Sequence, residues 1–269
     1  MRRVLTAAVL LPALWMLIKW APPWVFCAVA GVAIARSTWE CYTLLERNSA
    51  RPFKVLGVLA SLAVMASFAR VGPSFSAALP LLALTVTAMC ASQWLRDSPS
   101  HMLESSMSTL FPAVFVGVSM SYAVALRTFP DELGEDLLMV LFLCVIATDT
   151  AAYYVGSAWG RHRLAPRVSP NKTWEGAVGG VVASVGAALL GHVWFYRHLS
   201  WLDAVVLGVL LGLAAIAGDL AESVVKRATG AKDASSLLPG HGGLLDRADS
   251  MLFAGPVLYY YYLLFLAGS

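Results

Sequence analysis

The sequence predicts an all-α, polytopic integral membrane protein with about nine transmembrane helices. Three observations point there. Of 269 residues, 59% are hydrophobic and 13% charged, with a mean hydropathy of +0.71, which is too apolar for a soluble domain. The apolar residues gather into runs near the ~20 residues that a bilayer-crossing helix needs. The formal net charge is only +3, and the charged residues concentrate in short segments between those runs. Cys27, Cys41, Cys90 and Cys144 stand singly, without the spacing of a zinc site or a disulfide framework.

The first run, 4–20, follows Arg2-Arg3 and lacks a clean small-residue cleavage site, so it reads as a retained helix rather than a signal peptide. Further spans are expected at 23–35, the shortest, and at 53–69, 77–95, 110–126, 137–156, 177–196, 202–217 and 251–267. Gly179, Gly180, Ala183 and Gly186 mark close helix packing in one of them. The connections 36–54 and 96–108 carry charges but no motif and read as solvated. No repeat or linker is visible. The chain is therefore read as one membrane domain, with 1–135 a helical scaffold or homodimer surface and 136–269 the catalytic helices and loops. With the N-terminus in the cytoplasm, only Lys19, Arg70, Arg127 and Arg197 of the 19 lysines and arginines fall outside.

Residues 218–250 read GDLAESVVKRATGAKDASSLLPGHGGLLDRADS, a polar block between two apolar runs and on the predicted cytoplasmic side. Charge kept beside lipid needs a reason. If the preceding helix continues, Asp219, Glu222 and Lys226 fall at i, i+3 and i+7 on one face. The turn-rich 239–243 lets backbone amides approach an anion. Asp246 and Asp249 follow, again three apart. Carboxylates from two segments suit Mg²⁺, a hard cation that shares its shell with substrate phosphates. The neighbouring cations Lys226, Arg227, Lys232 and Arg247 suit the phosphates themselves. His241, flanked by glycines, reads as a phosphate contact or loop support rather than as a general base. A plain solvated loop would need neither four acids nor the Gly cluster.

The second polar segment, 149–176, reads DTAAYYVGSAWGRHRLAPRVSPNKTWEG. Its end, from Ser169, looks like a loop closing into a helix start, where a hydroxyl caps the helix and free N–H groups face an anion.

The run S-V-V-K-R-x4-K-D-x5-P-G-H-G-G-x2-D-R-x-D, Ser223 to Asp249, closely resembles the signature of the phosphatidate cytidylyltransferase (CDP-diacylglycerol synthase) family. Ala234-Ser235 stands where members often have Ser-Gly, and Ala248 where a branched apolar residue is usual; neither is a charged position. The upstream segment resembles the same family through D-x3-Y and S-P-x-K-[TS]-x-E-G, which carries over Asp149, Tyr153, Ser169, Lys172, Thr173 and Glu175. The resemblance implies transfer of CMP from CTP to phosphatidate at a prokaryotic inner membrane, with Mg²⁺ as cofactor and no nucleic-acid partner. It implies Asp219, Lys226, Asp246 and Asp249 as catalytic residues, with Asp219, Asp246, Asp249 and Glu222 around the metal. Ser169, Lys172, Thr173, Arg227, Lys232, His241 and Arg247 would hold substrate. Two other readings stay open: a CTP-using enzyme acting on a different lipid, and an ion-coupled transporter. A transporter places its acids near mid-bilayer, whereas these lie at helix ends.

Overall fold

The computed structural model describes residues 12–73, 78–95, 98–130, 132–197, 199–237 and 242–267. Helix α1 (12–19) is followed by α2 (Pro23–Glu46), α3 (Lys54–Val71), α4 (Ala78–Leu95), α5 (Pro99–Pro112), α6 (Ser119–Arg127) and α7 (Leu133–Trp159). Strands β1 (Arg163–Ala165) and β2 (Ser169–Thr173) precede α8 (Trp174–Trp194), α9 (Trp201–Ala228), α10 (Leu245–Ala248) and α11 (Met251–Tyr261). The chain divides into two compact units, Met1–Thr128 with Val225–Ala248, and Phe129–Val224 with Asp249–Ser269.

In the first unit the core is built from Ile34, Tyr42, Leu44, Val64, Phe68, Val116 and Leu126. The Tyr42 hydroxyl donates to the Thr109 carbonyl at 2.6 Å, tying α2 to α5. Pro112 has no N–H to offer, and a π-helical turn (Ala113–Val118) begins just after it before the chain resumes as α6. Residues 36–46 are the second half of α2 and not a solvated connection. Past Arg36 the helical period continues in small polar and aromatic residues, and Ser37, Thr38, Glu40, Cys41, Tyr42 and Leu44 are all buried. Likewise 99–108 belongs to α5. Ser98 caps it by accepting from the His101 N–H, Pro99 occupies the first turn, and Ser105, Ser106 and Thr109 are buried.

In the second unit α7 and α8 pack closely, with Gly180 facing the Thr148 backbone, and Gly208 and Gly212 bring α9 against 181–185 of α8. Of the small residues expected to mark close packing, Gly179 and Gly180 meet Val155 and Thr148 of α7, whereas Gly186 faces open space. β1 and β2 form an antiparallel pair where the sequence suggested only a loop. α11 contains Pro256 and ends in a π-helical turn (Tyr262–Leu266).

Five helical stretches among the described residues are long and apolar enough to cross a membrane: Lys54–Val71, Pro99–Arg127, Leu133–Trp159, Trp174–Trp194 and Trp201–Ala228. The expected count of about nine is not reached on this measure. The run at 4–20 lies partly outside the described residues. α2 carries Arg36, Glu40 and Glu46, Leu79–Leu95 is shorter, and 251–267 changes helical form at Tyr262.

Candidate active site

α9 runs unbroken through Asp219 and Glu222, so the acids that the sequence placed three apart do lie on a helix. In the second unit these two meet Asp249, which follows α10; one ligand-capable oxygen from each of the three lies within 4.8 Å of the others. Gly218 permits this approach, because a Cβ there would collide with the Asp249 carbonyl. Glu222 is wholly buried. Asp219 Oδ2 pairs with Lys172 Nζ at 2.5 Å, and Asp219 Oδ1 accepts from the Ser223 hydroxyl at 3.4 Å. Asp249 Oδ1 accepts from the Ser250 N–H at 2.8 Å, and the Ser250 hydroxyl donates to Asp149 at 3.0 Å. Burial, then the like charges of Asp219, Glu222 and Asp149, push the Asp249 carboxyl well above the usual range. Carboxylates crowded in this way are costly as a set of bare anions, and an all-oxygen donor set fits a hard divalent cation.

The hairpin delivers Lys172 to this group. β2 ends at Thr173, whose hydroxyl accepts from the Gly176 N–H at 3.1 Å and caps α8. Thr173→Ala is expected to lower stability by about 1 kcal/mol, read as a thermal shift in detergent, since the cap bond is lost. Glu175 closes the base of the hairpin: it accepts from the Arg161 N–H at 3.1 Å and contacts His162 Nδ1 at 2.6 Å. Ser169 is half-buried opposite Ala165, and Tyr153 is exposed beside Tyr154.

In the first unit Lys226 Nζ donates to Asp246 Oδ1 at 2.7 Å, with side chains only 12% and 6% exposed. Asp246 Oδ2 accepts from the N–H groups of Ala234 at 2.9 Å and Gly243 at 2.6 Å. Burial alone would raise the Asp246 carboxyl, but the Lys226 and Gly243 hydrogen bonds outweigh it and hold the group below its ordinary value. Asp246 thus binds a lysine and a loop, whereas the carboxylates of Asp219, Glu222 and Asp249 gather close to one another. Arg227 donates to the Ala231 carbonyl at 3.3 Å; Arg227, Lys232 and Arg247 are exposed. His241 lies outside the described residues. Glu40 was missed from the sequence. It is 1% exposed, and its carboxylate accepts from the Ser235 hydroxyl at 2.7 Å and the Leu245 N–H at 2.9 Å. The available signal was Arg36 four residues before an acid inside an apolar helix.

A profile described as "Cytidylyltransferase family" matches residues 1–265. A Brucella suis protein named phosphatidate cytidylyltransferase is 46% identical over 150 residues, 56% of this chain and 54% of that protein. One of the same name from Mycobacterium bovis is 39% identical over 155 residues, 58% of this chain and 50% of its own length. The alignments therefore span about half of those two relatives. A third so named, from Haemophilus influenzae, is 32% identical over 284 positions, covering 97% of this chain and 98% of that protein.

Proposed function

The chain belongs to the cytidylyltransferase family, and we propose that it transfers CMP from CTP to phosphatidate, giving CDP-diacylglycerol and pyrophosphate. The observation that supports this reading best is the meeting of Asp219, Glu222 and Asp249 beside Lys172. In this proposal an oxygen of the lipid phosphate attacks the α-phosphorus of CTP, forming the new P–O bond as the bond to pyrophosphate breaks. No covalent enzyme intermediate is required. Asp219, Glu222 and Asp249 would hold Mg²⁺, which when bound supplies charge neutralisation on the triphosphate and the leaving pyrophosphate. Lys172 is held by Asp219 within reach of the same anions, and Thr173 fixes the end of its strand. Lys226, oriented by Asp246, would hold a phosphate oxygen by a charge-assisted bond, with Arg227, Lys232, Arg247, Ser169 and His241 as further contacts to substrate. Positioning and electrostatic stabilisation carry such a reaction.

Pyrophosphate release from CTP by the purified protein in detergent micelles tests this. Release is expected only with phosphatidate present and in step with CDP-diacylglycerol; release driven instead by another lipid, or by none, would contradict it.

The polar segments 149–176 and 218–250 are proposed to face the cytoplasm of a prokaryotic inner membrane, because basic residues concentrate in them. Cysteines introduced at the exposed positions Asn171 and Ser236, in a chain with its native cysteines replaced, are expected to resist an impermeant thiol reagent in intact cells and to react after lysis. Labelling in intact cells would reverse the orientation.

A further inference from the structure

The loop 229–244 between α9 and α10 is gathered at its base by two carboxylates of the first unit. Asp246 takes the N–H groups of Ala234 and Gly243. The next donors along each arm go to a residue 195 and 205 positions upstream: the Ser235 hydroxyl to Glu40 Oε1 at 2.7 Å, and the Leu245 N–H to Glu40 Oε2 at 2.9 Å. Both arms are therefore fastened twice, in alternation. Arg36 Nε lies 3.2 Å from Glu40 Oε1 and supplies a counter-charge one helical turn away. The fit is close at Gly243, where a Cβ would fall 2.5 Å from Glu40 Oε2 and 2.9 Å from Ser235 Oγ. Gly242 beside it has φ +79°, a conformation that other residues adopt only with strain.

A nearly buried carboxylate has a desolvation cost, which hydrogen bonds and a cation must offset. A neutral side chain would pack α2 against α10 without that cost. What the charge adds is two strong, directional bonds, one to Ser235 in a described stretch without helix or strand and one to Leu245 at the start of α10. Loops not fastened in this way spend binding energy on ordering when a ligand arrives.

We propose that Glu40, in the N-terminal part of the chain, is a positioning residue that pre-orders the described residues 229–237 and 242–245 for the triphosphate of the nucleotide. This rests on the proposed CTP-dependent activity. Glu40 touches no substrate; it acts through Ser235 and Leu245. Its role therefore falls on nucleotide binding and not on turnover.

Glu40→Gln preserves shape and replaces one acceptor oxygen by an NH₂ group. In full-length protein in detergent, hydrogen exchange of peptide 242–250, which contains the Leu245 amide, is expected to quicken about ten-fold or more, the loss of one charge-assisted bond. KM for CTP is expected to rise by a similar factor with kcat within about three-fold. Ser235→Ala removes one donor without altering α2 and is expected to move both readouts the same way by less. Unchanged exchange in folded Glu40→Gln protein overturns the proposal, and so does faster exchange with an unchanged KM for CTP, which would mark Glu40 as structural only. If wild-type protein releases no pyrophosphate from CTP, the proposed activity fails by itself and the exchange comparison still decides whether Glu40 fastens the loop.

Discussion

Asparagine in place of Asp249 is expected to lower phosphatidate-dependent pyrophosphate release more than about a hundred-fold, beyond the usual loss for a residue that merely supports a metal ligand. The variant should remain folded. Asp249 sits among the charges of Asp219, Glu222 and Asp149, which together with burial oppose its ionisation. Removing its charge therefore relieves repulsion in the metal-free protein, and metal-free thermal stability should hold or rise. A residue whose charge works against the fold and is still required for turnover serves the ligand. Activity within a few-fold of wild type would exclude Asp249 from the site, and a large loss of stability would make it a packing residue.

Asp246→Asn is expected to fail differently. It breaks a pair whose partners are almost out of solvent, and the new amide cannot accept from Lys226 and from two loop N–H groups as the carboxylate does. Leaving a buried ammonium without its carboxylate costs about 3 kcal/mol of stability. Lys226→Ala should cost a similar amount, and the double variant Lys226→Ala/Asp246→Asn should lose less than the sum, because each single change strands the other's charge. Turnover in Lys226→Ala should fall about ten- to a hundred-fold in kcat/KM as a phosphate contact is lost. Added Mg²⁺ should restore neither variant, while Glu222→Gln should recover in part. Recovery of Lys226→Ala at high Mg²⁺, with none for Glu222→Gln, would overturn these roles. Strictly additive stability losses would mean that the pair carries no coupling.

The helical character of the chain, with helices long and apolar enough to cross a membrane, was legible because apolar runs of spanning length are a one-dimensional property. So was the grouping of Asp219 and Glu222, which follows from helical period once α9 is continuous. The division of labour between Asp246 and Asp249 was not. Both are acids three residues apart in one polar block, and what separates them is the path of the chain through α10, which gives one to Lys226 and the loop amides and the other to Asp219 and Glu222. Residues 36–46 were misread because charge was taken to end a helix. In α2 the charged Arg36 and Glu40 lie one turn apart and neutralise each other, so the helix continues and buries the acid. Glu40 escaped notice for the same reason: its partners lie 195 and 205 residues away, and no local pattern records them.

The central claim, that Asp219, Glu222 and Asp249 form a cation site, is tested most directly by Mn²⁺ binding to the purified protein followed by electron paramagnetic resonance, without substrate and without reference to turnover. The account predicts that wild type and Asp246→Asn deplete the free Mn²⁺ signal alike, and that Asp219→Asn, Glu222→Gln and Asp249→Asn each weaken binding at least about ten-fold. Undiminished Mn²⁺ binding in those three variants, or its loss in Asp246→Asn alone, would contradict it.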